Sequence, residues 1–148
     1  MPRDIDVDVR CEGDLPSEGD YVRIQTAVDE DDVRGFADLT ADENPLHLDA
    51  SHAATSVFGR RVVHGVLSLG FVSAALSRLP GDVVLVSQDV EYVSPVYVDD
   101  VVRVECEVVS EADGGRYDVD TDVHRVGRDA ESDVTLAVTG EAVVYVES

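Results

Sequence analysis

The stretch from Val62 to Leu79 carries no charge before Arg78, and nothing else in the chain constrains its fold as strongly. A segment of this length with apolar residues on every side predicts a helix buried on every side. Its small residues, Gly65, Ser68, Gly70, Ser73, Ala74 and Ser77, would let a sheet approach closely. Polar residues interrupt it too often for a membrane span, which needs about 20 predominantly apolar positions. Beyond Pro80 and Gly81 the pattern changes from helical to alternating. Strands are expected at 83–93, 97–109, 116–126 and 133–146, with turns at Ser94-Pro95, Asp113-Gly114-Gly115 and Gly127-Arg128-Asp129. One buried helix and several long alternating strands predict an α+β domain, with an antiparallel sheet wrapped around the helix.

Upstream, residues 4–10 alternate Asp with Ile and Val, a short edge strand or a loose end, and 21–28 reads as a strand. The acidic run Asp29–Asp32 favours a helix start. Val33, Phe36 and Ala37 give that helix an apolar stripe, and Pro45 requires it to end near Ala41. Residues 42–49 form a polar loop, a short helix is expected over Ser51–Val57, and Phe58–Arg61 turns at Gly59. No repeat or low-complexity linker divides the chain, so residues 1–148 are expected to form one domain.

Charge narrows the partners. Thirty-two acidic residues against eleven basic ones give a net charge of -21, which argues against nucleic acid and anionic membrane surfaces. The first ten residues lack the apolar segment of a secretory signal, and a cytoplasmic location is expected. All eleven basic residues are Arg. A GC-rich genome would account for the missing Lys but not for the acid excess. The excess resembles that of proteins from organisms that hold molar salt in the cytoplasm, where salt screens the repulsion. Cys11 and Cys106 form no paired motif, and Cys106 falls on the apolar side of an alternating run, as a structural thiol does.

Two segments could carry chemistry. In Asp42-Glu43-Asn44-Pro45-Leu46-His47, a carboxylate and an imidazole flank a Pro-fixed turn. They could share one water molecule for general acid–base work, or Asp42 could cap the turn while His47 lies on the surface. In Arg60-Arg61-Val62-Val63-His64-Gly65, a glycine stands near a helix start, where unpaired N–H groups could stabilise an oxyanion or where small size could serve packing alone. His64 could orient the loop, bind substrate phosphate, or be structural. Ser73 could hold a loop or a carbonyl, or bond back to its own helix. His52 and His124 carry no argument, and the spacing of the four His matches no metal motif.

The run from Phe36 to Asp49 resembles the hydratase motif of the MaoC-like dehydratases, and Phe58–Leu67 resembles the start of that family's central helix. Val93–Asp100 resembles its Pro-containing strand junction, and Val138–Ala142 its last strand. The resemblance runs in order from about residue 15 to the C-terminus. It implies a hot-dog fold with a five- or six-stranded sheet, and a homodimer binding CoA thioesters at the subunit interface. It implies Asp42 and His47 as catalytic residues, the Gly65 N–H as the oxyanion donor, and Asn44, His64 and Ser73 in substrate binding or loop support. No metal is expected from the His spacing, and no cofactor is expected beyond the CoA of the substrate. Arg would have to supply any contact to CoA phosphates. The activity implied is reversible hydration of trans-2-enoyl-CoA to (3R)-3-hydroxyacyl-CoA, compatible with reserve-polyester supply or fatty-acid metabolism. A thioesterase on the same fold, a non-catalytic acyl-thioester-binding subunit, and a hydratase for a branched or dicarboxylic acyl-CoA are the rival readings.

Overall fold

Alternation along the strands dictates which side chains meet the helix. The computed structural model describes residues 4–127 and 130–147. Six strands, β1 (Asp6–Arg10), β2 (Tyr21–Ala27), β3 (Asp82–Tyr92), β4 (Val101–Ala112), β5 (Arg116–Gly127) and β6 (Ala130–Glu147), form one sheet. Its order is β1-β2-β4-β5-β6-β3 and every pairing is antiparallel. Val22 and Ile24 of β2, Val102, Val104, Cys106 and Val108 of β4, and Val119 and Val123 of β5 point to one face and are buried. Against that face packs α4 (Gly65–Leu76), through Phe71, Val72, Ala75 and Leu76. Burying one such aliphatic side chain contributes roughly 1.5–3 kcal/mol, so this single interface holds the fold. Burial pushes the Cys106 thiol up to about 12, which leaves it an inert part of the core.

The apolar stretch opens at Val62 but the helix only at Gly65, the glycine expected near its start, because Val62 is taken into a bridge with Tyr97 and Val63 N–H donates to the Val96 carbonyl at 2.8 Å. The helix departs from expectation in that it is not buried all round. Val66, Gly70 and Ser73 lie along an outward face, with Val66 62% exposed. β4 likewise starts at Val101, not 97, because Asp99 adopts φ 78° and Asp100 accepts the Tyr97 N–H at 2.9 Å. The N-terminal segment is the edge strand β1, and of the turn expected at Gly127-Arg128-Asp129, the last two residues lie outside the described ones.

Between β2 and α4 run three short helices. The first, α1 (Glu30–Thr40), is closed by a capping box. Asp29 accepts the Asp32 N–H and Asp32 accepts the Asp29 N–H, both at 3.0 Å, a reciprocal arrangement that satisfies otherwise unpaired donors. The expected loop 42–49 contains a single helical turn, α2 (Pro45–Leu48). Asn44 caps it by accepting the Leu46 N–H at 3.0 Å, and Pro45 occupies its first position, where a missing N–H costs nothing. The third, α3 (Ala50–Ala54), follows at once, capped by Asp49. Among the described residues no helix is long and apolar enough to cross a membrane.

Candidate active site

The ends of these helices converge on the start of α4. Ala41 ends α1 in the left-handed conformation, φ 62°, a position that costs a non-glycine residue about 1 kcal/mol or more. That reversal carries Asp42 off the helix, and its N–H donates to Thr40 Oγ1 at 3.2 Å. Asp42 is exposed, on the lip of the site. Five residues on, α2 presents His47, half buried. Its Nδ1 lies 2.7 Å from the Val62 carbonyl oxygen. A carbonyl only accepts, so Nδ1 carries the proton, and in the neutral ring Nε2 is left as an acceptor.

His64 completes the cluster. It is 1% exposed, and its Nε2 donates to the backbone carbonyl of Asp42 at 3.1 Å. Its ring lies between Phe36, at 4.7 Å between centroids, and His47, at 3.9 Å. Its Nδ1 is buried with no hydrogen-bond partner. One ligand atom each from Asp42, His47 and His64 fall within 4.8 Å of one another. Sequence spacing did not reveal this grouping of metal-ligating atom types, in which each His has one ring nitrogen already committed to a backbone carbonyl. The same span lets a single water bridge the Asp42 carboxylate and the His47 ring. Burial lowers the His47 pKa from its ordinary value. The Val62 carbonyl opposes that, the His64 ring reinforces it, and the Asp42 charge opposes it weakly. His47 is therefore a neutral base around pH 7.

Beside this cluster opens an apolar pocket of about 420 Å³, walled by Leu46, Phe58, Val62, Val63, Val96 and Val138, with His47 and Gly65 also on its lining. Gly65 is the first residue of α4, so its N–H has no acceptor within the helix. The ring of Tyr92 lies over it, with Cε1 2.8 Å from where a β-carbon on Gly65 would stand. A side chain larger than hydrogen at this position would have to displace that ring.

The structure brings Asp42, His47, His64 and Gly65 together. Asn44 is the cap of α2 and acts on His47 through the turn it closes. Ser73, within one chain, is exposed on the outward face of α4 and does not line this pocket. The serine at the pocket is Ser68, 3% exposed, five residues nearer the helix start. Tyr92 was also missed, because one aromatic in an alternating run says nothing about its neighbours across space. His52 is exposed and His124 lies on β5, 3.8 Å from Glu105, both away from the site.

Comparison with known proteins bears on this arrangement. Residues 15–128 match the family model of the MaoC like domain. The chain is 37% identical over 129 residues to an (R)-specific enoyl-CoA hydratase of Aeromonas caviae, a match covering 85% of this chain and 92% of that one. It is 41% identical over 87 residues to a 3-hydroxybutyryl-CoA dehydratase of Methylorubrum extorquens, covering 57% of this chain and 55% of the relative. This last match thus spans little more than half the relative's length, as does that to an enoyl-CoA hydratase of Rhodospirillum rubrum, at 60%. Among solved structures, a protein from Archaeoglobus fulgidus superposes with a TM-score of 0.81 at 38% identity, covering 92% of this chain and 81% of that one. An (R)-hydratase from A. caviae involved in PHA biosynthesis gives 0.79 at 33%, covering 88% and 97%. The sheet wrapped on α4 is thus the hot-dog fold.

Proposed function

The chain belongs to the family of MaoC-like domains, and from that premise we propose that it catalyses reversible hydration of trans-2-enoyl-CoA to (3R)-3-hydroxyacyl-CoA. One observation carries the reading. A carboxylate and a neutral imidazole, the latter with its proton pinned on Nδ1 by Val62, lie in one cluster whose ligand atoms are within 4.8 Å of one another, beside an unpaired helix N–H and an apolar pocket.

In this mechanism the two O–H bonds of the water point to the Asp42 carboxylate and His47 Nε2, leaving an oxygen lone pair free. The acyl chain enters the apolar pocket, and the thioester carbonyl accepts the Gly65 N–H. As the water oxygen bonds to the β-carbon, Asp42 takes its proton, and the C=C electrons move to the carbonyl oxygen as an enolate. The Gly65 N–H, at the positive end of α4, stabilises that charge. Collapse of the enolate takes up at the α-carbon the proton that Asp42 received, with His47 assisting its transfer, so that the elements of water are added and Asp42 returns to carboxylate. A thioesterase would instead aim the water at the carbonyl carbon, and the relatives named as hydratases and dehydratases favour the first course.

The active form in this proposal is a homodimer. Among the described residues β3 ends the sheet with an unpaired edge and exposes Val84, Leu85 and Val86, Val84 at 55%. An apolar edge strand is a liability unless covered, and a two-fold copy is the commonest closed cover. The outward face of α4, with Val66 and Ser73, is a second surface that a copy could cover. Sedimentation should give a dimer, and a stable active monomer would contradict it. The product's use in polyester supply is proposed by analogy with the A. caviae relative alone. The activity itself is tested by loss of enoyl absorbance from crotonyl-CoA, with chiral analysis of the product. Release of free CoA without hydration would replace this reading with the thioesterase.

A further inference from the structure

In a chain with 32 carboxylates and eleven arginines, three of the described guanidiniums pair with carboxylates and two others bond to uncharged oxygens, Arg78 to the Ala74 carbonyl and Arg103 to Gln25. Arg10 pairs with Asp8 at 2.9 Å, and Arg34 and Arg61 both pair with Glu30, at 3.1 and 3.0 Å. Arg60 and Arg125 do not. Neither guanidinium makes an ion pair or hydrogen bond with another of the described residues, and Arg125 Nε is buried without a partner. Instead both lie against one aromatic ring. Arg60 Cζ is 3.8 Å, and Arg125 Cζ 5.2 Å, from the ring centroid of Tyr97.

Tyr97 is a fixed platform. Its N–H is held by Asp100, it bridges to Val62, and its hydroxyl reaches the Phe58 carbonyl at 3.4 Å. It is therefore laced to the 58–62 segment, whose Phe58 and Val62 wall the apolar pocket. A second, more polar hollow of about 170 Å³ adjoins this segment, lined by Gly59, Arg60, Arg61 and Val98, with Asp99 as its one carboxylate. Arginine stacked on an aromatic uses its flat face, which leaves the N–H edges free for a planar or tetrahedral anion.

We propose that Arg60 and Arg125, held on Tyr97, bind phosphate groups of the CoA portion of the substrate. This rests on the thioester reading above. A polyanionic ligand approaching a chain of net charge -21 is repelled overall, so a local pair of unneutralised cations beside the pocket is where it can be held. Two guanidiniums suit a ligand with several phosphates, such as CoA, better than the single phosphodiester of a carrier-protein arm.

The test compares crotonyl-CoA, crotonyl-4′-phosphopantetheine and crotonyl-pantetheine with wild type, Arg60→Gln and Arg125→Gln at one fixed salt concentration. Loss of a charge-assisted contact should raise KM for crotonyl-CoA about tenfold in each variant, with kcat unchanged. KM for crotonyl-pantetheine should stay constant. Arg60→Lys should recover only part of the loss, since the charge returns without the fork. Equal KM rises on all three substrates would mean a distorted pocket and would overturn the proposal, as would no change on any. A rise as large for the phosphopantetheine thioester as for crotonyl-CoA would reassign the pair to the carrier-protein arm. Direct calorimetric binding of CoA and of pantetheine separates this proposal from the hydratase reading. If no thioester is hydrated but the variants still bind CoA about tenfold more weakly, the phosphate site stands and the hydratase reading falls. If wild type binds CoA no better than pantetheine, the phosphate site falls whatever the activity.

Discussion

His64 touches both halves of the candidate catalytic pair. Its ring packs against that of His47, centroids 3.9 Å apart and planes tilted by 32°, and its Nε2 donates to the backbone carbonyl of Asp42 at 3.1 Å. It is a positioning residue in the proposed mechanism, since it meets neither water nor thioester there. His64→Phe keeps a ring against His47 but releases the Asp42 segment. Misplacing a reacting group by an ångström can cost about a hundredfold, so kcat should fall roughly ten- to a hundredfold. KM should barely change and the fold should persist. An unchanged kcat would reduce His64 to packing.

The His47 titration is the second test. Burial, aided by His64, holds its pKa below the ordinary value near 6.5, so the neutral ring should persist to lower pH than a free histidine allows. The acid limb of kcat/KM should fall below that of a free imidazole, and in His64→Phe it should move up. The sign for stability follows from the same shift. Between the two pKa values the unfolded chain binds the proton and the folded chain does not, so folding loses stability as pH falls from about 6.5 through the lowered value. His47→Gln should flatten that part of a denaturation-against-pH curve; a curve identical to wild type would show that His47 is not the group.

At Gly65 the prediction is loss of activity without loss of fold. Ala suits a helix start, but its β-carbon would meet the Tyr92 ring, a half-exposed side chain able to swing away. Stability measured by thermal melting should change by no more than about 1 kcal/mol. Turnover should drop because the displaced ring and the new methyl crowd the N–H. Adding Tyr92→Ala should relieve the ring and restore part of the activity. Full activity in Gly65→Ala would remove the oxyanion role. By contrast, a methyl at Gly140 of β6 would meet Val90 Cα of β3 at 2.9 Å, backbone that cannot swing.

Much of this was legible in the sequence, for identifiable reasons. Alternation fixed β2, β4 and β5 because each has one face on α4 and one outside. The start of β4 was misplaced, and the apolar stretch outruns α4, because hydropathy cannot see that residues 61–63 are laced to 96–98 by backbone bonds. The helical turn at Pro45 was signalled by Asn44 as cap and Pro45 at the first position, and polar density obscured it. Val66 and Ser73 looked buried because apolar content does not distinguish a core from a face left for another surface. The pairing of Asp42 with His47 could be proposed from spacing, but the bonds to backbone carbonyls that orient the His47 ring, through Val62, and the Asp42 segment, through His64, could not.

Salt gives a prediction independent of the site. At net charge -21, mutual repulsion should weaken the fold as molar KCl is diluted away. Circular dichroism and activity across a KCl series should show a midpoint that rises with salt. Equal stability in low and molar salt would end the halophilic reading and leave the chemistry untouched.

The shared water between Asp42 and His47 is tested most directly by a double-mutant cycle on crotonyl-CoA hydration. Asp42→Asn keeps the shape and removes the charge, and His47→Gln keeps a hydrogen bond and removes the ring. General acid–base groups contribute typically about 10²–10⁴-fold, so each single change should lower kcat by that order. Residues that act as one unit are strongly non-additive. A shared water therefore predicts that the double mutant falls little further than the worse single mutant. Near-normal turnover in Asp42→Asn, or losses that simply multiply, would contradict it.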